Sequence, residues 1–332
     1  EVSPELQPLL DRSCELIPQV SVREQGNVLN ADIEWTCGGV TLTHDDVRRA
    51  LQERSTIFRT TQGNWLSFDS GEAEKGLRAM QELGLDAEGQ FGVLRHEAPE
   101  RMAALTQSTG VTIGEDSRSL LDRIVHEPAP IPIQLPSNFD SILRPYQRTG
   151  FEFLASRAAY GVGTILADDM GLGKTLQVLC LLQGMAARLR HDGQRLRALV
   201  ICPSSVIGVW RQQCEQFCQS LILATYRGAR DLREEILTAD WEVLVTNYAM
   251  ARIDAESLGS MTYDVVVLDE AQHIKNPEAQ VTRAVKSLDT RLMLALTGTP
   301  LENHLLDLWS ITDAVNPGFL KDTDTFMSQF GG

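Results

Sequence analysis

From residue 162 onward, apolar residues gather into short, nearly unbroken runs separated by longer stretches of helical spacing. The runs are VGTILA (162–167), RALVIC (197–202), LILATY (221–226), EVLVT (242–246), YDVVVLDE (263–270) and RLMLALT (291–297). Between the first two, KTLQVLCLLQGMAARLR places apolar residues three and four apart, the period of a helix. Strands without polar alternation are buried on both faces. The pattern therefore predicts an α/β fold, a parallel sheet flanked by helices.

The first 130 residues follow a different rule. ADIEWTCGGVTLTHDDVRRALQERSTIFRTTQGNWLSFD (31–69) predicts strand, turn, short strand, helix and then a hairpin about QGN. Thr43 is placed to cap that helix, with Asp45 and Asp46 favourable in its first turn. EKGLRAMQELG predicts a further amphipathic helix closed by Gly84. Pro128, Pro130, Pro132 and Pro136 then favour an extended connector. The expected organisation is a smaller α+β domain over 1–130, a proline-rich linker over 131–140 and the α/β lobe over 141–332.

Composition narrows the class. The net charge of −15 argues against nucleic-acid binding by the surface as a whole. It is uneven: residues 1–130 hold 12 Lys+Arg against 22 Asp+Glu, whereas 131–332 hold 18 against 23. A polyanion partner should therefore meet a local patch in the second part. The six cysteines form no CxxC pair and read as a reduced, buried set in a cytosolic protein. No apolar run approaches the roughly 18 residues of a membrane span. The chain opens on Glu1 rather than methionine and reads as a fragment or a processed chain.

Candidate chemistry sits at two strand ends. After the first run comes DDMGLGKT, a phosphate-binding loop with Asp168 where the pattern G-x-x-x-x-G-K-[ST] has glycine. Gly171 and Gly173 would let backbone N–H groups approach phosphate oxygens, aided by the helix N-terminus. Lys174 would reach the β- and γ-phosphates, and Thr175 would place its hydroxyl on Mg²⁺. Ninety-five residues beyond Lys174, the run VVVL delivers Asp269 and Glu270 to a strand end. There Asp269 would hold Mg²⁺, and Glu270 would orient and deprotonate the attacking water.

Six blocks in order resemble the Swi/Snf-type ATPases of helicase superfamily 2. They are Gln147 within LRPYQRTGFEFL, then DDMGLGKT, ICPSSVIGVW, VTNYAM, DEAQHIKN and LTGTPLENHLLDLW, together covering roughly residues 140–330. The resemblance implies a RecA-like P-loop lobe using ATP and Mg²⁺. It implies that Gln147 reads the adenine edge, with Arg144 and Tyr146 shaping the pocket, and that Met170, Leu172 and Leu176 complete the nucleotide loop. Gln272 and His273 would sense the γ-phosphate. Ser204, Ser205, Trp210, Asn247, Tyr248, Thr297, Gly298 and Thr299 would face or follow the nucleic acid, with capping or turn roles as the alternative for the polar ones. Arg211, Arg227 and Arg230 would either add phosphate contacts or simply be solvated. Residues 31–69 resemble the helicase-associated region that precedes the motor in bacterial members.

The implied function is sequence-independent translocation on double-stranded DNA, since phosphate contacts position without reading bases. The implied partners are the DNA backbone, a second RecA-like lobe absent from these residues, and proteins recruited through the N-terminal domain, with no membrane. The setting would be a bacterial cytoplasm, at the nucleoid. Hydrolysis by the first lobe alone is expected to be weak. Two alternatives stay open: a true DNA or RNA helicase, and a non-motor ATP-dependent scaffold or switch in a defence or repair complex. Asp168 is expected to accept loop N–H bonds, and Asp169 to face the second lobe.

Overall fold

A computed structural model describes residues 17–25, 28–37, 39–43, 46, 47, 49, 57–63, 65–67, 91–94, 112–126, 130–299 and 305–330. The chain separates into two compact units, Glu1–Pro128 and Ala129–Gly332. The predicted helix over 74–84 lies outside the described residues.

In the first unit, β1 (Ile17–Gln25) and β2 (Val28–Cys37) form an antiparallel hairpin. One end of β2 also pairs with β3 (Val40–Leu42), and its other end pairs with β6 (Phe91–Leu94). A separate hairpin pairs β4 (Ile57–Arg59) with β5 (Trp65–Ser67), with a turn at Thr60–Gly63 in which Gly63 takes φ 89°. β7 (Thr112–Ile113) runs parallel to β1 and leads into α1 (Glu115–Val125), which packs on β1. Alternation along β1 buries Pro18, Val20 and Val22, with Leu121 and Ile124 of α1 also in the core.

Thr43 and Asp46 form the expected cap: Asp46 N donates to Thr43 Oγ1 at 3.2 Å and Thr43 N donates to Asp46 Oδ2 at 3.3 Å. Asp46 also accepts from Thr61 N at 2.7 Å and from Arg49 at 2.8 Å, tying the hairpin to the helix start. Burial would raise its pKa, but hydrogen bonds from Thr43 and Thr61 outweigh burial and hold it below the ordinary 3.8. Its stabilisation is therefore present above that value and lost as pH falls through the lower folded pKa. Asp46→Ala is expected to cost the unit about 2–3 kcal/mol at neutral pH, read as a lower urea midpoint. An unchanged midpoint would show that this hub holds nothing together. Cys37 is disulfide-bonded, so the expectation of a wholly reduced set fails there, while Cys180, Cys202, Cys214 and Cys218 are free and buried.

The second unit is the predicted α/β lobe. Its strands are β8 (Thr164–Leu166), β9 (Ala198–Cys202), β10 (Leu223–Thr225), β11 (Val243–Asn247), β13 (Val265–Asp269) and β15 (Met293–Leu296). All are parallel, in the order β10-β11-β9-β13-β15-β8, and each falls on one of the six apolar runs, β11 extending one residue past EVLVT to Asn247. β12 (Thr262–Tyr263) and β14 (Asp289–Thr290) form a small parallel pair beside it. Unbroken runs are needed because alternate residues enter different cores. Ala198, Val200 and Cys202 of β9 join one, and Leu199 and Ile201 join the other.

The first core is covered by α2 (Pro145–Ala159), α3 (Lys174–His191) and α4 (Ile207–Phe217). After α5 (Arg230–Thr238), the second core is covered by α6 (Tyr248–Ile253), α7 (Ala255–Gly259), α8 (Gln280–Lys286) and α9 (Leu305–Val315), with α10 (Thr323–Phe330) against α9. Each buried Leu, Ile or Val contributes roughly 1.5–3 kcal/mol of transfer free energy. Residues 131–140 do not behave as a free linker. Ile133 and Phe139 are buried, Arg188 donates to Ile131 O at 2.9 Å, and a Cβ at Gly184 would strike Ile133. Their apolar side chains make them part of the lobe.

Candidate nucleotide site

The sheet sets the geometry. Leu166 at the end of β8 pairs with Leu296 of β15, and Leu296 neighbours Asp269 of β13. The loop at 167–173, Thr297–Thr299 and the pair Asp269-Glu270 thus leave one carboxyl edge side by side, where open α/β sheets bind ligands.

In the phosphate loop, Gly171 and Gly173 adopt φ 81° and 78°, values that favour glycine. A Cβ on Gly173 would also collide with Gln147 Nε2. Gly173 is the N-cap of α3, so the free N–H groups of the first turn point toward the loop. Lys174 is buried, and its Nζ donates to the main-chain oxygens of Asp168 at 2.7 Å and Asp169 at 3.1 Å. Phosphate oxygens would replace these carbonyls as its acceptors.

Gln147 joins the loop to α2. Its Oε1 accepts from Arg144 N at 3.0 Å, closing a capping box, and its Nε2 donates to Leu172 O at 3.1 Å. Arg144 and Tyr146 beside it are exposed. Met170 is 66 % exposed and lies over Gly298, linking the phosphate loop to the TGT loop.

Asp269 is buried, and burial pushes its carboxyl above the ordinary value, opposed by a hydrogen bond from Trp210. The indole Nε1 donates to Asp269 Oδ2 at 2.8 Å, and Tyr248 Oη donates to Asp269 O at 2.9 Å. Glu270 follows in a left-handed conformation, φ 54°, a strained position for a non-glycine residue. Its Oε2 accepts from Gln272 Nε2 at 3.0 Å. Gln272 Oε1 in turn accepts from Thr297 Oγ1 at 3.2 Å, and Thr297 Oγ1 accepts from Thr299 N at 3.1 Å. The candidate base is thereby wired to the TGT loop. His273 is exposed and stacks on Tyr248 with centroids 4.7 Å apart.

The donor set fits Mg²⁺ with ATP. Thr175 offers a hydroxyl in the first turn of α3 and Asp269 a carboxylate, both hard oxygen donors. Among the described residues no group of three or more His, Cys, Asp or Glu could hold a metal unaided. A cation here would share phosphate and water ligands, as Mg²⁺ does in nucleotide sites.

Several expectations are corrected. Trp210 and Tyr248 are not nucleic-acid contacts: both are buried and turned toward Asp269. Thr297 is likewise buried and serves the relay. Asn247 takes the capping alternative, its Oδ1 accepting from Met250 N at 2.9 Å. Ser204, Ser205 and Thr299 are exposed. Arg211 and Arg230 pair with Glu215 and Glu234 one turn along their own helices. Among the described residues the partner of the Asp168 carboxylate is not a loop N–H but Gln177, whose Nε2 donates to Asp168 Oδ2 at 3.2 Å.

Gln177 was not singled out in the sequence, yet it is fully buried and a Cβ on Gly150 would overlap its Oε1. No spacing rule marks it. Trp210 does carry a signal, because Ile207, Trp210 and Cys214 fall on one buried helical face.

Residues 146–332 match the SNF2-related domain model. The putative ATP-dependent helicase/translocase YwqA of Bacillus subtilis is 28 % identical over 316 residues, 90 % of this chain and 34 % of its own length. TATA-binding protein-associated factor MOT1 of Saccharomyces cerevisiae is 34 % identical over 226 residues, 65 % of this chain and 12 % of its own. This chain therefore spans about a third or less of these relatives. Among solved structures, the Sulfolobus solfataricus SWI2/SNF2 ATPase core in complex with dsDNA is 38 % identical, with TM-score 0.54, over 60 % of this chain and 41 % of that one. With the phosphate loop, the Asp269-Glu270 strand end and the sheet all in place, the chain belongs to the SNF2-related domain family.

Proposed function

We propose that the second unit is the ATP-binding lobe of a DNA-dependent ATPase that translocates on double-stranded DNA without reading sequence. The observation that carries this reading is the relay Glu270–Gln272–Thr297–Thr299, which joins the nucleotide site to an exposed loop. The Sulfolobus core similar to it was solved with double-stranded DNA, and the Bacillus relative is named a helicase/translocase.

In this reading Gly171–Thr175 cradle the phosphates, Gln147, Arg144 and Tyr146 take the adenine, and Thr175 and Asp269 hold Mg²⁺. Bound there, the cation would neutralise charge developing on the β- and γ-phosphates. Glu270 accepts a proton from the attacking water, and Gln272 holds that carboxylate in place. Ser204, Ser205 and Thr299 offer hydroxyl and N–H donors to DNA phosphates. A second RecA-like lobe completes the cleft, the first unit recruits protein partners, and the enzyme works at the nucleoid of a bacterial cytoplasm. Among the described residues no helix is long and apolar enough to cross a membrane.

Arginines from a second lobe typically contribute about 10³–10⁵ in rate. These 332 residues are therefore expected to hydrolyse ATP slowly, with little stimulation by DNA. Robust DNA-stimulated turnover by this chain alone would refute the two-lobe requirement. On the longer protein, triplex displacement without duplex unwinding is the expected outcome. Unwinding of a forked duplex would make it a true helicase instead, and nucleotide binding without turnover would make it a switch.

A further inference from the structure

We infer that Trp210 is a positioning residue for Asp269, holding the carboxylate in the orientation that receives Mg²⁺. The inference rests on the nucleotide reading above and extends it to a side chain outside both nucleotide motifs. Trp210 lies on α4, and α4 begins two residues beyond the exposed Ser205.

The geometry is a clamp. Trp210 Nε1 donates to Asp269 Oδ2 at 2.8 Å while Tyr248 Oη donates to Asp269 O at 2.9 Å. One helix thus grips the side chain and another grips the main chain of the same residue. Indole is a donor only, so this bond has one polarity and one acceptor. Trp210 is fully buried, so no solvent takes over if the bond is lost. Tyr248 is fixed in turn by its stack on His273.

Fixing one carboxylate oxygen leaves the group a single rotamer from which to meet a cation. Partners that orient a metal ligand in this way typically change metal affinity by about 10–100-fold when removed.

The test is a Mg²⁺ titration of binding of a fluorescent ATP analogue to the wild-type chain and two variants. Trp210→Phe removes the N–H and leaves a small void. Benzothienylalanine placed at position 210 replaces the N–H by sulfur and keeps the ring shape, so it covers the case in which Trp210→Phe folds poorly. Both are expected to raise the half-saturating Mg²⁺ concentration by about tenfold. Analogue affinity measured in EDTA should stay within about twofold, a separation that general loosening of the lobe would not produce. Wild-type Mg²⁺ dependence in a folded variant would overturn the positioning role alone. An equal loss with and without Mg²⁺ would overturn it in favour of a packing role. Absence of Mg²⁺-dependent binding in the wild-type chain would overturn the nucleotide reading and this inference together.

Discussion

Glu270→Gln is expected to lower single-turnover ATP hydrolysis by roughly 10³-fold while ATP affinity changes by no more than about twofold. A positioned general base contributes about 10²–10⁴ in rate, and glutamine is close to isosteric but cannot accept the proton. The Gln272 amide that now donates to Glu270 Oε2 can still donate to the new amide oxygen, so the relay to Thr297 survives. Lys174→Ala should fail differently. It removes the buried ammonium that faces the loop carbonyls and, with nucleotide bound, the phosphates. Charge-assisted hydrogen bonds are about twice as strong as neutral ones, so affinity for Mg·ATP should fall by at least about tenfold, taking turnover with it. Equilibrium titration and rapid-quench measurement separate the two patterns. Wild-type rates in either variant would sink the site assignment.

Gly163→Ala is expected to destabilise the lobe by about 3 kcal/mol or more, although it touches neither nucleotide nor DNA. Gly163 precedes β8, and a Cβ there would overlap the main-chain oxygen of Val315 at the end of α9. Its N–H donates to Asn316 Oδ1 at 2.9 Å, and its carbonyl accepts from Asn316 Nδ2 at 2.8 Å, both bonds buried. Overpacking alone typically costs about 1–3 kcal/mol. Prying the Asn316 amide away adds the desolvation of buried groups left unpaired. For a lobe of this size that is a fall in Tm of roughly 6–12 °C. Calorimetry checks it, and a fall under about 2 °C would mean that α9 shifts freely. Because β8 carries the phosphate loop, residual folded protein should also bind ATP more weakly.

The chemistry was legible because it is local. Asp269 and Glu270 end an apolar run, and Gly171–Thr175 occupy a strand-to-helix turn, so a few residues of context suffice. The six strands were legible because burial on both faces erases polar alternation. Runs and strands differ by a residue or more at their ends: VGTILA extends beyond Thr164–Leu166, whereas EVLVT stops one residue short of Asn247.

What escaped was direction. A motif is a linear string, but this one crosses from a turn into a helix, so Ser204 and Ser205 reach solvent in the turn while Trp210 points inward from α4. The Asp168–Gln177 bond escaped because it crosses from loop to helix interior. The packing of residues 131–140 escaped because four prolines announce an extended backbone without saying whether it is free or docked. β1 carries a readable alternation at Pro18, Val20 and Val22, but it precedes residue 31, where the expected elements began.

The pairing of Leu166 with Leu296, and of Leu296 beside Asp269, makes the sheet a ruler. The strand that feeds the phosphate loop and the strand that ends at Asp269 stand two spacings apart, about 10 Å between backbones. That strand spacing is written in hydrogen-bond ladders. Connections between the strands, such as the one around α5, can therefore lengthen or change character without detuning the gap. A protein built this way can acquire new attachments to other molecules along its connections while its fuel site keeps one calibration.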